Sequence, residues 1–191
     1  MRFDIILAGV GGQGVLSLSA IIAWSAMREG LHVKQSEVHG MAQRGGAVLA
    51  NLRIADTEVM SDLIPEGGAA LVLSMEPLES LRYLRYLSTG GTVITSTNPV
   101  VNIPDYPDLD GLVGRIRSLP KAILLDSEQI AKQAGTAKAS NMVIAGAASR
   151  LLPLKLETME HFIETRFAGK GEKVVRQNLA AFRAGREAAA A

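Results

Sequence analysis

The sequence predicts an α/β fold: a Rossmann-like three-layer sandwich with a mainly parallel sheet, helices on both faces and a helical C-terminus. Strand-length apolar runs alternate with helical patterns along most of the chain. Most of these runs are continuously aliphatic, which is typical of parallel strands buried on both faces. The length of 191 residues suits a single domain, so we expect residues 1–191 to form one.

The first half of the chain contains four strand patterns and two helix patterns. The predicted strands are Phe3 to Ala8, Leu31 to Gln35, Ala47 to Ile54 and Ala69 to Ser74. A helix from Val15 to Arg28 follows the first strand, and Gly30 is suited to end it. Pro77 suits a first helical position, and the helix it starts is expected to reach Leu87 and stop at Gly90 and Gly91.

The second half becomes progressively more helical. We expect strands over the segment TVITST (92–97) and from Lys121 to Asp126, with a proline- and aspartate-rich loop after the first of them. Ser127 suits the N-cap of a helix that runs to Gln133. The pattern from Asn141 to Leu152 is apolar nearly all round and predicts a buried helix. Two charged helices, separated by Gly169 and Gly171, follow Pro153.

Composition excludes several classes of function. The formal net charge is +1 and basic residues are scattered, which argues against a nucleic-acid partner. The chain has no cysteine, so it offers no thiolate for a disulfide, a nucleophile, a zinc site or an iron–sulfur cluster. His32, His39 and His161 do not have metal-ligand spacing, and no metal site is predicted. There is neither a secretory pattern at the start nor a run of about 18 apolar residues, so we expect a cytoplasmic protein without a membrane partner.

The turn between the first strand and helix has the outline of a dinucleotide fingerprint. Gly9, Gly11 and Gly14 fit G-x-G-x-x-G, in which glycine backbone lets a phosphate approach free amides at the helix start. That fingerprint also needs an acidic residue at the end of the second strand. Here VKQS fills that place and Glu37 comes just past it. A bound nucleotide and simple close packing of strand on helix both remain open.

A second polar stretch is expected at the same sheet edge. Residues Ser36 to Gly46 predict a long exposed loop in which Arg44, beside two glycines, suits a carboxylate or phosphate. Ser74, Glu76 and Asn98 follow predicted strand ends and should lie near this edge, although helix capping explains Ser74 and Glu76 equally well. No residue is predicted to be catalytic. The residues predicted to face a substrate, coenzyme A or a partner are Gly11, Gly12, Gln13, Gly14, His39, Gln43, Arg44, Gly45, Gly46, Ser74, Glu76 and Asn98.

Four motifs in order carry a family resemblance. They are GVGGQGV, SEVHGMAQRGGAV, SDLIPEGGAALVLSMEPLESLRYL and KASNMVIAGA. From about Phe3 to Phe182 the chain resembles the gamma-type domain of the 2-oxoacid:ferredoxin oxidoreductases. The sequence HGMAQRGG (39–46) favours the indolepyruvate branch of this family over the pyruvate and 2-oxoglutarate branches.

The resemblance implies a heteromeric enzyme. In such a complex an arylpyruvate is decarboxylated with thiamine diphosphate and magnesium, electrons pass through [4Fe–4S] clusters to ferredoxin, and an aryl-acetyl coenzyme A is released. It implies that a larger alpha subunit holds the thiamine and the clusters. The gamma-type domain would lie over that active site, with the turn Gly11 to Gly14 and the loop Ser36 to Gly46 facing the partner or the acyl carrier. Arg44 and Gln13 would contact and orient an anion, with His39 as a third candidate.

Other functions remain open from the sequence. The chain could serve as a gamma subunit for pyruvate, 2-oxoglutarate or a branched 2-oxoacid. It could instead bind a dinucleotide by itself through the glycine turn, which titration with NAD, NADP and flavins would test. A purely structural oligomerising module is the third alternative, since the aliphatic core and charged C-terminal helices suit assembly.

Overall fold

A computed structural model describes residues 1–40 and 45–190 of the chain. They form one six-stranded sheet with helices on both faces. The strands are β1 (Arg2–Val10), β2 (His32–His39), β3 (Ala47–Ala55), β4 (Ala69–Ser74), β5 (Leu87–Ser96) and β6 (Ala122–Leu125). The helices are α1 (Val15–Arg28), α2 (Pro77–Arg82), α3 (Leu109–Arg117), α4 (Ser127–Gln133), α5 (Ser140–Ala148), α6 (Leu156–Phe167) and α7 (Glu172–Ala188).

The sheet is mainly parallel, which confirms the predicted fold class. Its order is β2-β3-β1-β4-β5-β6, with β1, β4, β5 and β6 parallel to one another. Strand β3 runs antiparallel to both of its neighbours, a feature that the sequence pattern did not predict. The reason is the short connection Gly40 to Gly46, because a parallel pair needs a crossover of about a dozen residues or more.

Two apolar clusters lie on opposite faces of the sheet. Ile5, Leu7 and Leu73 point to a large cluster that includes buried side chains of α1, α4, α5, α6 and α7. Ile6 and Val72 point to a smaller cluster closed by α3, by side chains of α2 and by Ile64 from the connection between β3 and β4. The three predicted layers are therefore present.

The predicted limits of two elements were wrong. Strand β2 continues to His39 instead of ending at Gln35, so the expected long loop begins only at Gly40. Helix α2 ends at Arg82, and after a short 3-10 turn strand β5 already starts at Leu87. Gly91 therefore belongs to a strand; a Cβ atom there would lie 2.9 Å from the Ala69 carbonyl oxygen, beside a shift in the β4/β5 register.

Smaller corrections concern the second half of the chain. Helix α3 was not predicted, although Asp108 caps it through a 2.8 Å bond from the Gly111 N–H. Asp126, not Ser127, caps α4 by accepting from the Gln129 N–H at 3.0 Å. The buried helix α5 was predicted correctly but is shorter than expected. Within the described residues, no helix combines the length and the apolar character needed to cross a membrane.

Candidate surface at the glycine turn

The turn after β1 leaves the start of helix α1 open. Gly12 and Gly14 have φ values of 105° and 84°, which favour glycine. Gly14 is the N-cap of α1 and provides no side chain to cap it. The first helical bond runs from the Leu18 N–H to the Gly14 carbonyl at 3.1 Å. The amides of the three residues before Leu18 therefore point out of the helix start, where they favour an anion.

Gly11, by contrast, is already engaged in the sheet. Its N–H donates to the Gly46 carbonyl at 2.8 Å, and its carbonyl accepts from the Gly45 N–H at 3.2 Å. These bonds extend the β1/β3 pairing beyond its last paired residues. They occupy the backbone of the second glycine of the motif, where a dinucleotide fingerprint lets the pyrophosphate approach closely, and β3 separates the end of β2 from the turn. Both facts argue against a dinucleotide bound in the Rossmann manner.

Gln13 fixes the turn to the neighbouring strand. Its side-chain oxygen accepts from the Val10 N–H at 2.8 Å, and its Nε2 donates to the Met75 carbonyl at 3.1 Å. A Cβ atom on Gly9 would approach Gln13 and Val15 to 3.0 and 2.8 Å, so the first glycine is needed for packing. The structure thus gives Gln13 a positioning role; its contact with an anion stays a prediction.

Two cavities flank the turn. One, of about 270 Å³, lies between the turn, the first residues of α1, the end of β2 and the start of β3, and His39 lines it. The other, of about 400 Å³, lies on the α5 and α7 side of Gly12 and Gly14. It is lined by polar groups that include Lys138 and Lys170. Both cavities border the open helix start.

The predicted residues at the ends of β4 and β5 do meet at this edge, but they bond internally. The Ser74 hydroxyl accepts from the Glu76 N–H at 3.2 Å and donates to the Glu76 carbonyl at 2.7 Å. Asn98 accepts from the Glu128 N–H at 3.0 Å and donates to Asp126 at 3.0 Å. These side chains therefore hold helix starts to strand ends, and any ligand contact by them is still a prediction.

The predicted loop residues are only partly described. Gly45 and Gly46 pair with the turn as stated above, and His39 is exposed at the end of β2. Gln43 and Arg44 lie outside the described residues. Their proposed contacts therefore remain predictions from the sequence.

Sequence reasoning missed two residues of the segment between β5 and α3. Asn102 donates from Nδ2 to the Gly45 carbonyl at 2.7 Å, and the Tyr106 hydroxyl donates to the Glu76 carboxylate. Burial and the bond to Glu76 raise the pKa of Tyr106. The sequence signal that could have identified Tyr106 is its position between Pro104 and Pro107. A segment with two prolines is extended and cannot bury an aromatic ring within itself, so the ring is expected to pack on another element.

Glu79, also missed, is an electrostatically unusual residue near the same edge. Its side chain is 3% exposed; one oxygen pairs with Arg82 at 3.0 Å, and the other is buried without a hydrogen-bond partner among the described residues. Burial raises the pKa of Glu79, and the attraction of Arg82 only partly offsets this effect. Over residues 1–40 and 45–190 there is no cluster of acidic and histidine side chains suited to a metal ion.

Comparison with known families assigns the chain. Residues 4–188 match the model of the family described as pyruvate ferredoxin/flavodoxin oxidoreductase. This chain belongs to that family. The resemblance inferred from the four motifs is therefore confirmed. As a member of this family, the chain is a subunit of an oxidoreductase that acts on 2-oxoacids.

Individual relatives refine the assignment. The chain is 40% identical over 194 aligned residues to the indolepyruvate oxidoreductase subunit IorB of Archaeoglobus fulgidus, covering 97% of this chain and 94% of that one. The gamma subunit of a keto/oxoacid ferredoxin oxidoreductase from Geobacter sulfurreducens superposes with a TM-score of 0.73 at 25% identity, with 98% of both chains covered.

A longer oxidoreductase contains the same fold as one part. The 2-oxoglutarate:ferredoxin oxidoreductase of Magnetococcus marinus, whose structure has 2-oxoglutarate, coenzyme A and succinyl-CoA bound, matches with a TM-score of 0.77 at 22% identity. The match covers 99% of this chain and 31% of that protein, so this chain spans about a third of its length. At this identity the likeness concerns the fold.

Proposed function

We propose that this chain is the small subunit of an indolepyruvate:ferredoxin oxidoreductase. Together with a larger subunit it converts an arylpyruvate and coenzyme A to an aryl-acetyl coenzyme A and carbon dioxide, with the electrons passing to ferredoxin. The name and the nearly complete coverage of the Archaeoglobus relative support this assignment. A gamma subunit for an aliphatic 2-oxoacid is the alternative that the experiment below must separate.

The cofactors are assigned to the larger subunit. Iron–sulfur clusters are held mainly by cysteine thiolates, and this chain has none, so its donor set does not fit a [4Fe–4S] cluster. On the basis of the family resemblance, we assign thiamine diphosphate and magnesium to the same larger subunit. When bound there, thiamine supplies the carbanion chemistry of decarboxylation. Within this proposal the small chain binds and orients and carries no catalytic residue.

The open start of α1 is the observation that carries the role of this chain. Val15, Leu16 and Ser17, whose amides point outward, line the cavity of about 270 Å³, and Lys138 and Lys170 line the cavity of about 400 Å³ on the other side of the turn. This donor set fits the phosphates of coenzyme A. We therefore assign the surface around Gly11 to Gly14 to the acyl carrier and to the edge of the partner's active site, with Arg44 as an additional anion contact.

Co-expression with the larger subunit tests the assignment. The purified pair is expected to reduce ferredoxin with indolepyruvate only when coenzyme A is present, and to prefer it over pyruvate, 2-oxoglutarate and a branched 2-oxoacid. Preference for an aliphatic acid would favour the alternative substrate class. A small chain that stays monomeric beside its co-expressed partner would contradict the proposal.

Charge reversal tests the surface itself. We expect the double substitution Lys138→Glu and Lys170→Glu to raise the KM for coenzyme A about tenfold in the complex, which corresponds to about 1.4 kcal/mol of lost binding, and to leave kcat unchanged. Lys155→Glu, at the start of α6 and outside both cavities, is the matched control. Equal KM values for the double variant and the control would remove coenzyme A from this surface.

A further inference from the structure

A segment without regular structure crosses the sheet edge beside the glycine turn. It comprises residues 97–108, between β5 and α3, and is called the strap below. At its start Asn98 is bonded to the beginning of α4. In its middle Asn102 reaches the Gly45 carbonyl at 2.7 Å, and near its end Tyr106 reaches Glu76. The strap thus connects three elements that are far apart in sequence.

Glu76 is a rigid anchor for the strap. Its side chain is buried, and one carboxylate oxygen is fixed by the Glu79 N–H at 2.8 Å as the cap of α2. The other oxygen accepts from the Val100 N–H at 3.4 Å and from the Tyr106 hydroxyl. A buried carboxylate that lost these donors would be costly, so the strap is held at two points on either side of Asn102.

Gly45 is positioned by hydrogen bonds to its backbone. Its φ value is 80°, and a Cβ atom built on it would meet nothing within 4 Å. No side chain of the described residues packs against that position. The hydrogen bonds of Gly45 within the described residues are the one from its N–H to the Gly11 carbonyl, at 3.2 Å, and the one from the Asn102 side chain to its own carbonyl.

We infer that Asn102 is a positioning residue that fixes Gly45 against Gly11, and that Tyr106 supports it by holding the strap on Glu76. Gly11 lines the cavity of about 270 Å³ beside the turn, so the strap sets the position of one wall of that cavity. The effect on ligand affinity rests on the proposed function, which places coenzyme A at this surface. The effect on the backbone does not.

Two kinds of measurement test the inference on Asn102→Ala in the complex and in the full small chain. Hydrogen exchange is expected to be about tenfold faster at the Gly11 and Gly45 amides, and the KM for coenzyme A about threefold to tenfold higher with kcat within about twofold. Asn102→Gln, which retains an amide donor, should show smaller increases in both the exchange rate and the KM. Tyr106→Phe should change both in the same direction but less.

Lys121→Ala is the matched control, because Lys121 also donates to a glycine carbonyl, that of Gly90 at 3.1 Å, from an exposed position elsewhere on the sheet. It should change neither quantity. Unchanged exchange at Gly11 and Gly45 in Asn102→Ala overturns the inference. Faster exchange with an unchanged KM overturns the assignment of the cavity wall. A wild-type complex without activity on any 2-oxoacid overturns the proposed function alone, because the exchange result stands independently of it.

Discussion

Gly12 and Gly14 share a left-handed backbone but differ in what surrounds them. A Cβ atom on Gly12 would meet nothing within 4 Å, whereas one on Gly14 would overlap Nδ2 of the Asn141 side chain. Gly12→Ala should therefore cost only the strain of a left-handed alanine, about 1–2 kcal/mol of unfolding free energy. Gly14→Ala should cost somewhat more, by the free energy needed to move the flexible Asn141 side chain aside, as measured by urea denaturation.

The Asn141 side chain separates the two contributions. In the double variant Gly14→Ala with Asn141→Ala the clash is removed and only the backbone strain remains, so the alanine at Gly14 should then cost about as much as that at Gly12. A cost at Gly14 that is the same with and without Asn141 would show that the close approach does not matter.

Glu79 should make the chain less stable as pH rises. Its folded-state pKa is raised above the usual value of about 4.3, so folding favours the protonated form. The stability that this preference contributes is complete below the unfolded-state pKa and is lost as pH rises through the folded-state pKa. Urea unfolding of the wild type and Glu79→Gln from pH 4 to 7 should show the wild type losing stability relative to the variant.

A parallel pH dependence of the two proteins would contradict this prediction. If the wild type and Glu79→Gln keep a constant difference across the range, the buried carboxyl of Glu79 does not titrate differently from an unfolded one.

At the scale of elements, α5 and α7 pack closely because of two glycines. A Cβ atom on Gly146 would lie 1.8 Å from the Phe182 carbonyl oxygen, and one on Gly185 would lie 2.0 Å from that of Val143. Backbone atoms cannot give way as a flexible side chain does. Gly146→Ala should therefore separate the helices and lower the unfolding free energy by about 3 kcal/mol.

Gly114 in α3 is the matched control for the helix pair. It has open space around its Cβ position, so Gly114→Ala should stabilise the chain by about 0.5–1 kcal/mol through its helix propensity. Thermal unfolding compares the two variants directly. Similar melting temperatures for Gly146→Ala and Gly114→Ala would show that α5 and α7 adjust without cost.

Elements with strong local signals were predicted to the residue. Helix α1 and strand β4 have the bounds that their apolar patterns and flanking glycine or proline indicate. The end of α2 was not predictable in this way, because LRYLRYL (81–87) has good helix formers but continues after Arg82 into a 3-10 turn and the first residue of β5. There the pairing with β4 and the packing of Leu87 on the sheet outweigh helix propensity.

At the scale of the whole molecule, a buried ion pair between β1 and β3 also holds the segment between β3 and β4 against the sheet. Asp4 and Arg53 are 3% and 6% exposed and lie 3.2 Å apart, and Arg53 also donates to the carbonyls of Ser61 and Leu63 at 2.9 and 2.7 Å. Arg53→Met should cost about 3 kcal/mol, since the buried Asp4 carboxylate then loses one arginine partner and keeps the other, Arg2 at 2.7 Å. Chemical denaturation measures this loss.

Removing both charges should recover most of that stability. The double variant Asp4→Leu with Arg53→Met replaces the pair by apolar side chains, a change that is often neutral in other proteins. Recovery would assign the cost to the buried carboxylate left without Arg53. A double variant as unstable as Arg53→Met would instead assign it to the lost bonds at Ser61 and Leu63.

The candidate surface was predictable in outline but not in its bonds. Position after a strand end placed Gly11, Ser74 and Asn98 near one edge, because carboxyl ends of parallel strands share an edge. Gly46 was expected there as part of the predicted loop Ser36 to Gly46. Which backbone amides can still bind a ligand depended on β3. Because β3 pairs antiparallel with β1, the residues before it bond to the backbone of Gly11, whereas the first amides of α1 stay without a helical partner. The roles of Asn102 and Tyr106 depended on contacts across 57 and 30 residues of chain.

The sequence by itself determined the α/β class, the buried helix α5 and the family, because these follow from periodicity, composition and ordered local motifs. Only the tertiary structure decided that β3 lies between β1 and β2, that Gly11 pairs with Gly46 while the start of α1 stays open, and that the strap reaches Gly45. The physical reason is that local propensity specifies elements, whereas hydrogen-bond partners distant in sequence are chosen by how those elements pack.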